Sequence, residues 1–157
     1  MLSRSAAIRM IIERHGQDAV YVTNTGYISR AVYAEYPDLK NIFYMQGSMG
    51  LAPAIGLGCA INTQKDVVVL SGDASLLMHL GITHTIRDLS LSNLHVYVLD
   101  NGCHESVGQY SCSTLEPSYP GVTEIMKISC DGKRDRVGIG FPENFNDVKT
   151  FIVNKDC

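Results

Sequence analysis

Positive charge is scarce in this sequence. The 157 residues include 13 lysine and arginine residues against 16 aspartate and glutamate residues, a formal net charge of −3. Proteins that bind nucleic acid through its phosphates carry a basic surface, so the sequence argues against nucleic acid as a partner. An anionic ligand would have to be held locally, by backbone N–H groups, a helix terminus or a metal ion.

Long apolar runs and paired cysteine motifs are also missing. No segment approaches the roughly 20 apolar residues of a membrane-spanning helix, and residues 1–16 lack the apolar stretch and cleavage site of a secretory leader. The five cysteines form no C-x-x-C pair, and their odd number leaves one unpaired in any disulfide scheme. We therefore expect reduced thiols, a cytoplasmic location and no membrane partner, and we expect the cysteines to form neither a disulfide framework nor a zinc site.

Two common nucleotide-binding motifs do not occur. The G-K-[ST] triplet of P-loop hydrolases is absent. The pair Gly56-x-Gly58 lacks the third glycine of the dinucleotide-binding fingerprint and lies in a helix-like pattern, not after a strand. Both classes of nucleotide-binding protein are therefore disfavoured.

What the sequence does contain is an alternation of strand-like and helix-like segments. Apolar residues make up 45% of the chain and charged residues 18%, as in ordinary globular domains. Apolar, often β-branched segments predict strands at 19–23, 41–45, 66–73 and 94–100, and a further strand within 121–129. Helices are predicted from Ser3 or Ser5 to Gly16, at 28–36, within 47–61, at 75–89 and at 142–153. This pattern predicts one α/β domain over residues 1–157, a single doubly wound, mainly parallel sheet with helices on both faces.

Small or polar residues follow four of the predicted strands. These strand ends are Asn24-Thr25-Gly26, Gly47-Ser48, Gly72-Asp73-Ala74-Ser75 and Asp100-Asn101-Gly102. In such sheets, ligands bind in the crevice beyond the carboxyl ends of the strands. We therefore expect these four segments to converge on a binding site.

Asp73 and Asn101 are candidate ligands for a hard cation. Asp73 lies between a strand and a helix, and Asn101 follows the next strand 28 residues later. Mg²⁺ prefers carboxylate, amide and carbonyl oxygens together with phosphate oxygens and water. A helix cap formed by Asp73 or Ser75, and a plain turn at Asn101-Gly102, are the alternative interpretations of the same residues.

The two segments GDAS and VYVLDNG together resemble the thiamine diphosphate motif. More narrowly, NIFYMQGSMGLAPAIGLG, GDASLLMHLG and LDNGCHES resemble the phosphonopyruvate and sulfopyruvate decarboxylase group. The resemblance covers about Val22 to Gln109, and three motifs in this order are far more specific than any one of them. It implies a thiamine diphosphate-binding fold with Mg²⁺ held by Asp73, Asn101 and the backbone carbonyl of Cys103.

The resemblance also implies roles for the residues that surround the metal. Thr25, Gly26, Ala74 and Ser75 would contact the diphosphate, and the Gly47 carbonyl would accept a hydrogen bond from the 4′-amino group of the cofactor. Met49 matches the bulky apolar residue that keeps the cofactor bent, although ordinary core packing also explains a methionine there. The implied cofactor-binding set is Thr25, Gly26, Gly47, Ser48, Met49, Gly72, Asp73, Ala74, Ser75, Asn101 and Cys103. At Ala74 the group usually has glycine, and the added methyl disfavours a positive φ.

The implied reaction is the decarboxylation of phosphonopyruvate or sulfopyruvate to an aldehyde and CO₂, with another small 2-oxo acid as an alternative. The cofactor supplies the electron sink for this chemistry. His104 and Glu105 follow the metal-binding asparagine and are the candidate catalytic residues, for substrate contact or proton transfer. A solvated loop is the alternative interpretation of this pair.

A second domain is expected on a partner chain. In the group that this sequence resembles, a pyrimidine-binding domain supplies the glutamate that activates the cofactor, and we find no room for it here. Glu13 and Glu35 lie in predicted helices of this domain and are poor substitutes. We therefore expect a hetero-oligomer with a pyrimidine-binding subunit. A non-catalytic or regulatory cofactor-binding subunit is the alternative function.

Overall fold

The computed structural model describes residues 1–130, and the helix expected at 142–153 lies outside them. The strands are β1 (Val20–Thr23), β2 (Ile42–Tyr44), β3 (Val67–Gly72), β4 (Leu94–Asp100), β5 (Cys103–His104), β6 (Tyr110–Ser111) and β7 (Glu124–Lys127). The helices are α1 (Arg4–His15), α2 (Tyr27–Glu35), α3 (Ala52–Ile61), α4 (Asp73–Met78) and α5 (Ile82–Leu89). Five strands form a parallel sheet in the order β2-β1-β3-β4-β7, while β5 and β6 form a small antiparallel hairpin. The predicted fold class is confirmed.

Both faces of the sheet are covered, as expected for a doubly wound fold. Along β1, Tyr21 packs in the cluster that contains α1 and α2, whereas Val20 and Val22 pack in the cluster that contains α3 and α5. Val68 and Val69 of β3 divide between the two clusters in the same way. Successive side chains of a strand point to opposite faces, so strands covered on both sides are apolar throughout. That continuous apolarity is why strands β1 to β4 were predicted within one or two residues.

Helix α1 begins and ends where its sequence predicts. The side chain of Ser3 accepts a hydrogen bond from the backbone N–H of Ala6 at 3.1 Å, which identifies Ser3 as the N-cap. Gly16 follows the helix with a φ of 73°, a conformation that glycine adopts without strain. The buried stripe of Ala7, Ile8 and Ile11 rests on the sheet.

Helix α3 packs closely on β3 through a small residue. A methyl group placed on Gly56 would overlap Cγ2 of Val69, so only glycine permits this approach. The helix occupies Ala52–Ile61, the later part of the predicted segment, and residues 47–51 form a turn instead. Gly47 and Gly50 have φ values of 80° and 94° there. These values are not helical, so the helix starts only after this turn.

The single helix predicted at 75–89 is wrong, because the chain forms two helices there. Helix α4 ends at Met78, and α5 starts at Ile82 after Gly81. The two helices serve different packing clusters: Leu76 packs with Val98, whereas Ile82 packs with α3. A helical spacing of apolar residues therefore persists across a bend. The chain leaves the helix at His79, which has a φ of −139° and a ψ of 47°, and Gly81 already has a helical conformation before α5.

The connection from β4 to β7 is irregular. It contains the β5–β6 hairpin and a short 3₁₀ turn at Glu105–Val107, and none of residues 112–123 is helical. Within residues 1–130, no helix combines the length and apolar character needed to cross a membrane.

Candidate cofactor site at the carboxyl edge of the sheet

A cleft opens beyond the carboxyl ends of β1, β3 and β4. Ten of the predicted site residues line it: Thr25, Met49, Gly72, Asp73, Ala74, Ser75, Asn101, Cys103, His104 and Glu105. Gly26, Gly47 and Ser48 are not among the described residues that line the cleft. Arg4 and Asn24 line it as well, although neither was predicted as a site residue. Three of the four strand-end segments therefore converge on the cleft as expected. From the fourth, Gly47-Ser48, only the following residue Met49 lines it.

Asp73 is held in contact with the turn that carries Asn101. Its side chain is 3% exposed, and Oδ2 accepts a hydrogen bond from the Gly102 N–H at 2.8 Å. Oδ1 of Asp100 accepts from the same N–H at 3.0 Å, and Lys127 binds the other oxygen of Asp100. Two buried carboxylates thus share one backbone donor. This arrangement favours a cation between strand β4 and helix α4.

The surroundings make the ionised form of Asp73 unfavourable. Burial raises the pKa of Asp73, and the nearby Asp100 carboxylate raises it further. Hydrogen bonds from the backbone N–H groups of Ala74 and Gly102 act in the opposite direction but do not cancel these effects. A bound metal ion would stabilise the ionised carboxylate and would lower its pKa.

The orientation of the Asn101 side chain is fixed by two hydrogen bonds. Its Nδ2 donates to Oε2 of Glu105 at 2.8 Å, and its Oδ1 accepts from the Cys103 N–H at 3.2 Å. Gly102 has a φ of 71°, the left-handed conformation that lets the chain turn between these partners. The hydrogen bond to Glu105 therefore sets the orientation of the Asn101 amide, with Nδ2 toward Glu105 and Oδ1 away from it. This supporting contact was not predicted.

Glu105 forms a buried ion pair with Arg4. The two side chains are 3% and 2% exposed, and the guanidinium of Arg4 also lies 5.6 Å from the ring centroid of Tyr27. A distance of 101 residues in sequence separates the pair, so no local pattern predicts it. Glu105 was predicted as a catalytic residue, but in this structure its carboxylate orients Asn101 and neutralises Arg4. His104 lines the same cleft and is half-buried. Catalytic roles for both residues stay predictions.

Asn24 presents an unsatisfied polar atom at the cleft. Its Nδ2 donates to Oγ of Ser75 at 2.5 Å, while its Oδ1 is buried without a hydrogen-bond partner within residues 1–130. Buried polar atoms usually have a partner, and their exceptions call for an explanation. A donor on a bound ligand or a metal-bound water would satisfy Oδ1. The sequence placed Asn24 at a strand end, but only the structure shows its contact with Ser75.

The backbone conformations at Gly26 and Ala74 suit the residues found there. Gly26 precedes α2 with a φ of 84°, and a methyl group there would lie 3.2 Å from Oγ of Ser106. Ala74 lies within α4 and is not among the residues with positive φ, so the methyl that replaces the usual glycine introduces no strain. The carbonyl of Gly47 accepts a hydrogen bond from the Met49 N–H at 3.0 Å, within an exposed turn.

The residues present fit thiamine diphosphate and Mg²⁺. The donor set combines the Asp73 carboxylate and the Asn101 amide oxygen, which are hard ligands of the type Mg²⁺ prefers. The buried, unpartnered Oδ1 of Asn24 is an acceptor for a donor on a bound ligand.

Comparison with known proteins points the same way. The family model for the thiamine pyrophosphate enzyme C-terminal TPP binding domain matches residues 21–131. The chain is 39% identical over 107 residues to the sulfopyruvate decarboxylase subunit beta of Methanocaldococcus jannaschii, covering 68% of this chain and 56% of that protein. It is 43% identical over 108 residues to the subunit beta of Methanothermobacter thermautotrophicus, covering 69% and 57%.

A phosphonopyruvate decarboxylase from Streptomyces viridochromogenes is 42% identical over 106 residues, which cover 68% of this chain and 26% of that protein. The chain thus matches between about a quarter and rather more than half of these relatives' lengths. The structure of an enzyme from Mycobacterium smegmatis described as thiamin diphosphate-dependent superposes with a TM-score of 0.59 at 18% identity, over 73% of this chain and 24% of that one. That superposition confirms the fold.

Proposed function

Because the chain belongs to the thiamine pyrophosphate enzyme family and carries its C-terminal TPP binding domain, we propose that it is the diphosphate-binding half of a 2-oxo-acid decarboxylase. The observation that carries the proposal is the contact between Asp73 and the Asn101–Gly102 turn at the carboxyl edge of the sheet. The relatives that share this region are named sulfopyruvate or phosphonopyruvate decarboxylase. Sulfopyruvate and phosphonopyruvate are therefore the proposed substrates.

Three residues would hold the metal, namely Asp73, Asn101 and the backbone carbonyl of Cys103. Thr25, Ala74 and Ser75 would contact the diphosphate from the two sides of the cleft, with Gly26 allowing the chain to turn beside them. Asn24 contacts Ser75 through its hydrogen bond, and its unpartnered Oδ1 would accept from a donor on the ligand. Glu105 contacts Asn101 through a hydrogen bond as well.

When bound, thiamine diphosphate supplies the electron sink that makes loss of CO₂ from a 2-oxo acid possible. The protein's own part is to orient the cofactor, exclude water and move a proton. Met49 lines the cleft and would press on the cofactor from its apolar side. The imidazole of His104 is the candidate for holding the proton that the product carbon finally receives, since it lines the cleft and is half-exposed.

A partner subunit would complete the site. Glu105 is the only buried glutamate within residues 1–130, and it is already paired with Arg4. The side chains of Leu51, Met78 and Val107 are exposed and come after β2, β3 and β4 in sequence, and Val107 lines the cleft. Large exposed apolar side chains are common at interaction surfaces. We infer that a pyrimidine-binding subunit covers them and contributes the activating glutamate.

The test uses the chain co-purified with its native partner. We would measure CO₂ release from sulfopyruvate, phosphonopyruvate and a plain 2-oxo acid, with and without Mg²⁺ and thiamine diphosphate. The variant Asp73→Ala should lose Mg²⁺-dependent cofactor binding, whereas the exposed His84→Ala should behave as the wild type. Mg²⁺-dependent binding that survives in Asp73→Ala would show the metal assignment to be wrong. Cofactor binding without decarboxylation of any acid would favour a non-catalytic or regulatory subunit.

A further inference from the structure

A second group of metal-binding side chains lies at the opposite edge of the sheet. His15 ends α1, Asp66 immediately precedes β3, and His95 is the second residue of β4. One ligand atom from each of the three lies within 4.8 Å of those from the other two. We propose that His15, Asp66 and His95 form a binding site for a divalent transition-metal ion such as Zn²⁺, separate from the cofactor site.

The distances are close to those of a metal-bound cluster. Nδ1 of His15 lies 3.4 Å from Oδ2 of Asp66, and Nε2 of His95 lies 3.5 Å from Oδ1 of the same carboxylate. Zinc–nitrogen and zinc–oxygen bonds of about 2.0–2.2 Å in a tetrahedron place neighbouring ligand atoms roughly 3.3–3.6 Å apart. The two histidines approach different oxygens of the Asp66 carboxylate, and all three ligand atoms lie within 4.8 Å of one another, so the side chains would have to move closer together to enclose an ion.

The ligand chemistry also favours a transition metal. Two imidazoles and a carboxylate suit Zn²⁺ and its neighbours, whereas Mg²⁺ requires oxygen ligands. Nε2 of His95 is buried and has no hydrogen-bond partner among the described residues, so its lone pair or proton is unsatisfied.

The second nitrogen of His15 has its own partner. Nε2 of His15 lies 2.8 Å from the hydroxyl of Tyr97, and that hydroxyl accepts a hydrogen bond from Arg14 at 3.3 Å. A metal-binding histidine is typically oriented by such a contact through its other nitrogen. Arg14 is itself paired with Glu124 at 3.0 Å, which limits its repulsion of a cation.

The backbone that carries the ligands is held in place. The side-chain Nδ2 of Asn93 donates to the carbonyls of Ala60, Thr63 and Lys65 at 2.9–3.2 Å, which fixes the loop before Asp66. The Asp66 carbonyl accepts from the Val20 N–H at 2.7 Å. The carboxylate of Asp66 is 47% exposed, so an ion can reach the site from solvent and retain water as a further ligand.

The test is metal titration of the 157-residue chain after removal of metals with a chelator. Zn²⁺ would be titrated against a chromophoric chelator, and Co²⁺ would report the ligand type by its visible absorption. We expect one bound equivalent without the thiolate charge-transfer band that cysteine ligands produce. His95→Ala and Asp66→Asn should each weaken binding more than tenfold, and Tyr97→Phe should weaken it roughly tenfold through loss of ligand orientation.

Three controls make the outcome decisive. His84→Ala removes an exposed histidine outside the cluster, and Asp73→Ala removes the proposed Mg²⁺ ligand; both should retain the bound Zn²⁺ equivalent. Zn²⁺ should raise the melting temperature of the wild type but not of Asp66→Asn, which alters an exposed side chain and should still fold. Equal affinity in wild type, His95→Ala and Asp66→Asn, or a thiolate band in the Co²⁺ spectrum, would overturn the proposal.

Discussion

At the scale of single residues, the candidate site contains buried polar groups that reduce the stability of the ligand-free protein. Asp73 is buried beside Asp100, and both carboxylates accept the same backbone N–H. Asn24 keeps a buried oxygen without a partner in the described part of the chain. Such arrangements reduce stability and are retained where binding requires them.

We predict that Asp73→Asn stabilises the metal-free protein while abolishing its Mg²⁺ affinity. The amide has nearly the same shape and can still accept from Gly102, but it removes a buried charge next to Asp100. The expected gain at neutral pH is roughly 0.5–2 kcal/mol in the free energy of unfolding. Urea unfolding followed by circular dichroism measures it.

The pH dependence of this difference provides its control. The pKa of Asp73 is raised in the folded state, so the penalty for its charge exists above that pKa and disappears as the pH falls through it. The advantage of Asp73→Asn should therefore shrink on acidification. An advantage that grows as the pH falls would contradict the assigned direction of the pKa shift.

The Arg4–Glu105 pair leads to a second prediction. Arg4→Ala should lower the free energy of unfolding by about 3–5 kcal/mol, because it leaves the buried Glu105 carboxylate without its counter-charge. The double variant Arg4→Met, Glu105→Leu should be less destabilised than Arg4→Ala. The matched control is Arg9→Ala, which breaks the surface pair with Glu35 and should change stability by about 1 kcal/mol or less. Equal losses in Arg4→Ala and Arg9→Ala would show that the burial of the first pair is unimportant.

At the scale of helices and strands, α3 determines how closely one helical layer approaches the sheet. Gly56 faces Val69 without room for a methyl, whereas Gly58, two residues later in the same helix, is exposed with open space around it. In the same helix, Gly56 therefore faces the core whereas Gly58 faces solvent.

We predict opposite effects of alanine at these two positions. Gly56→Ala should destabilise the protein by about 1–3 kcal/mol, because the new methyl overlaps the Val69 side chain. Gly58→Ala should stabilise it by roughly 0.5–1 kcal/mol, because alanine favours the helix and meets no neighbour. Thermal unfolding of the two variants measures both signs. Similar stabilisation by both substitutions would refute the close packing of α3 on β3.

Helices and strands were predicted correctly where a single local sequence pattern determines them. Apolar runs predicted β1, β2, β3 and β4, and Ser3 and Gly16 marked the ends of α1. The bend between α4 and α5 was missed because apolar spacing continues through it while the packing partners change.

Contacts between distant residues had no local signal. The Arg4–Glu105 pair and the grouping of His15, Asp66 and His95 depend on which strands become neighbours in the sheet. The motif residues Asp73 and Asn101 were predictable because strand ends of a parallel sheet share one edge. Their supporting residues, Asn24 and Glu105, required the structure.

At the scale of the whole molecule, the cleft is open and its surroundings are partly apolar. Val107 is 66% exposed and Tyr110 is 72% exposed, and both lie in the segment that follows β4. Side chains of this kind stabilise a monomer very little when they are exposed, but they stabilise an interface when a partner covers them.

We predict that Val107→Ser combined with Tyr110→Ser weakens association with the proposed partner by at least about 2 kcal/mol. The isolated chain should keep its stability within about 0.5 kcal/mol, because both side chains are exposed there. Ile61→Ser, at the end of α3 near the opposite edge, is the matched control and should leave association unchanged. Titration calorimetry with the partner subunit measures the affinities. Unchanged affinity in the double variant would place the interface elsewhere.

Strand β4 lies between the two proposed metal sites, with His95 near its start and Asn101 directly after its end. Six residues of extended chain separate these two proposed ligands by about 20 Å. No residue is a ligand in both proposed sites, so an ion bound at one end of the strand would leave the ligands at the other end available. Each end would bind its own cation with its own side chains, and one molecule would respond to two metals through separate residues.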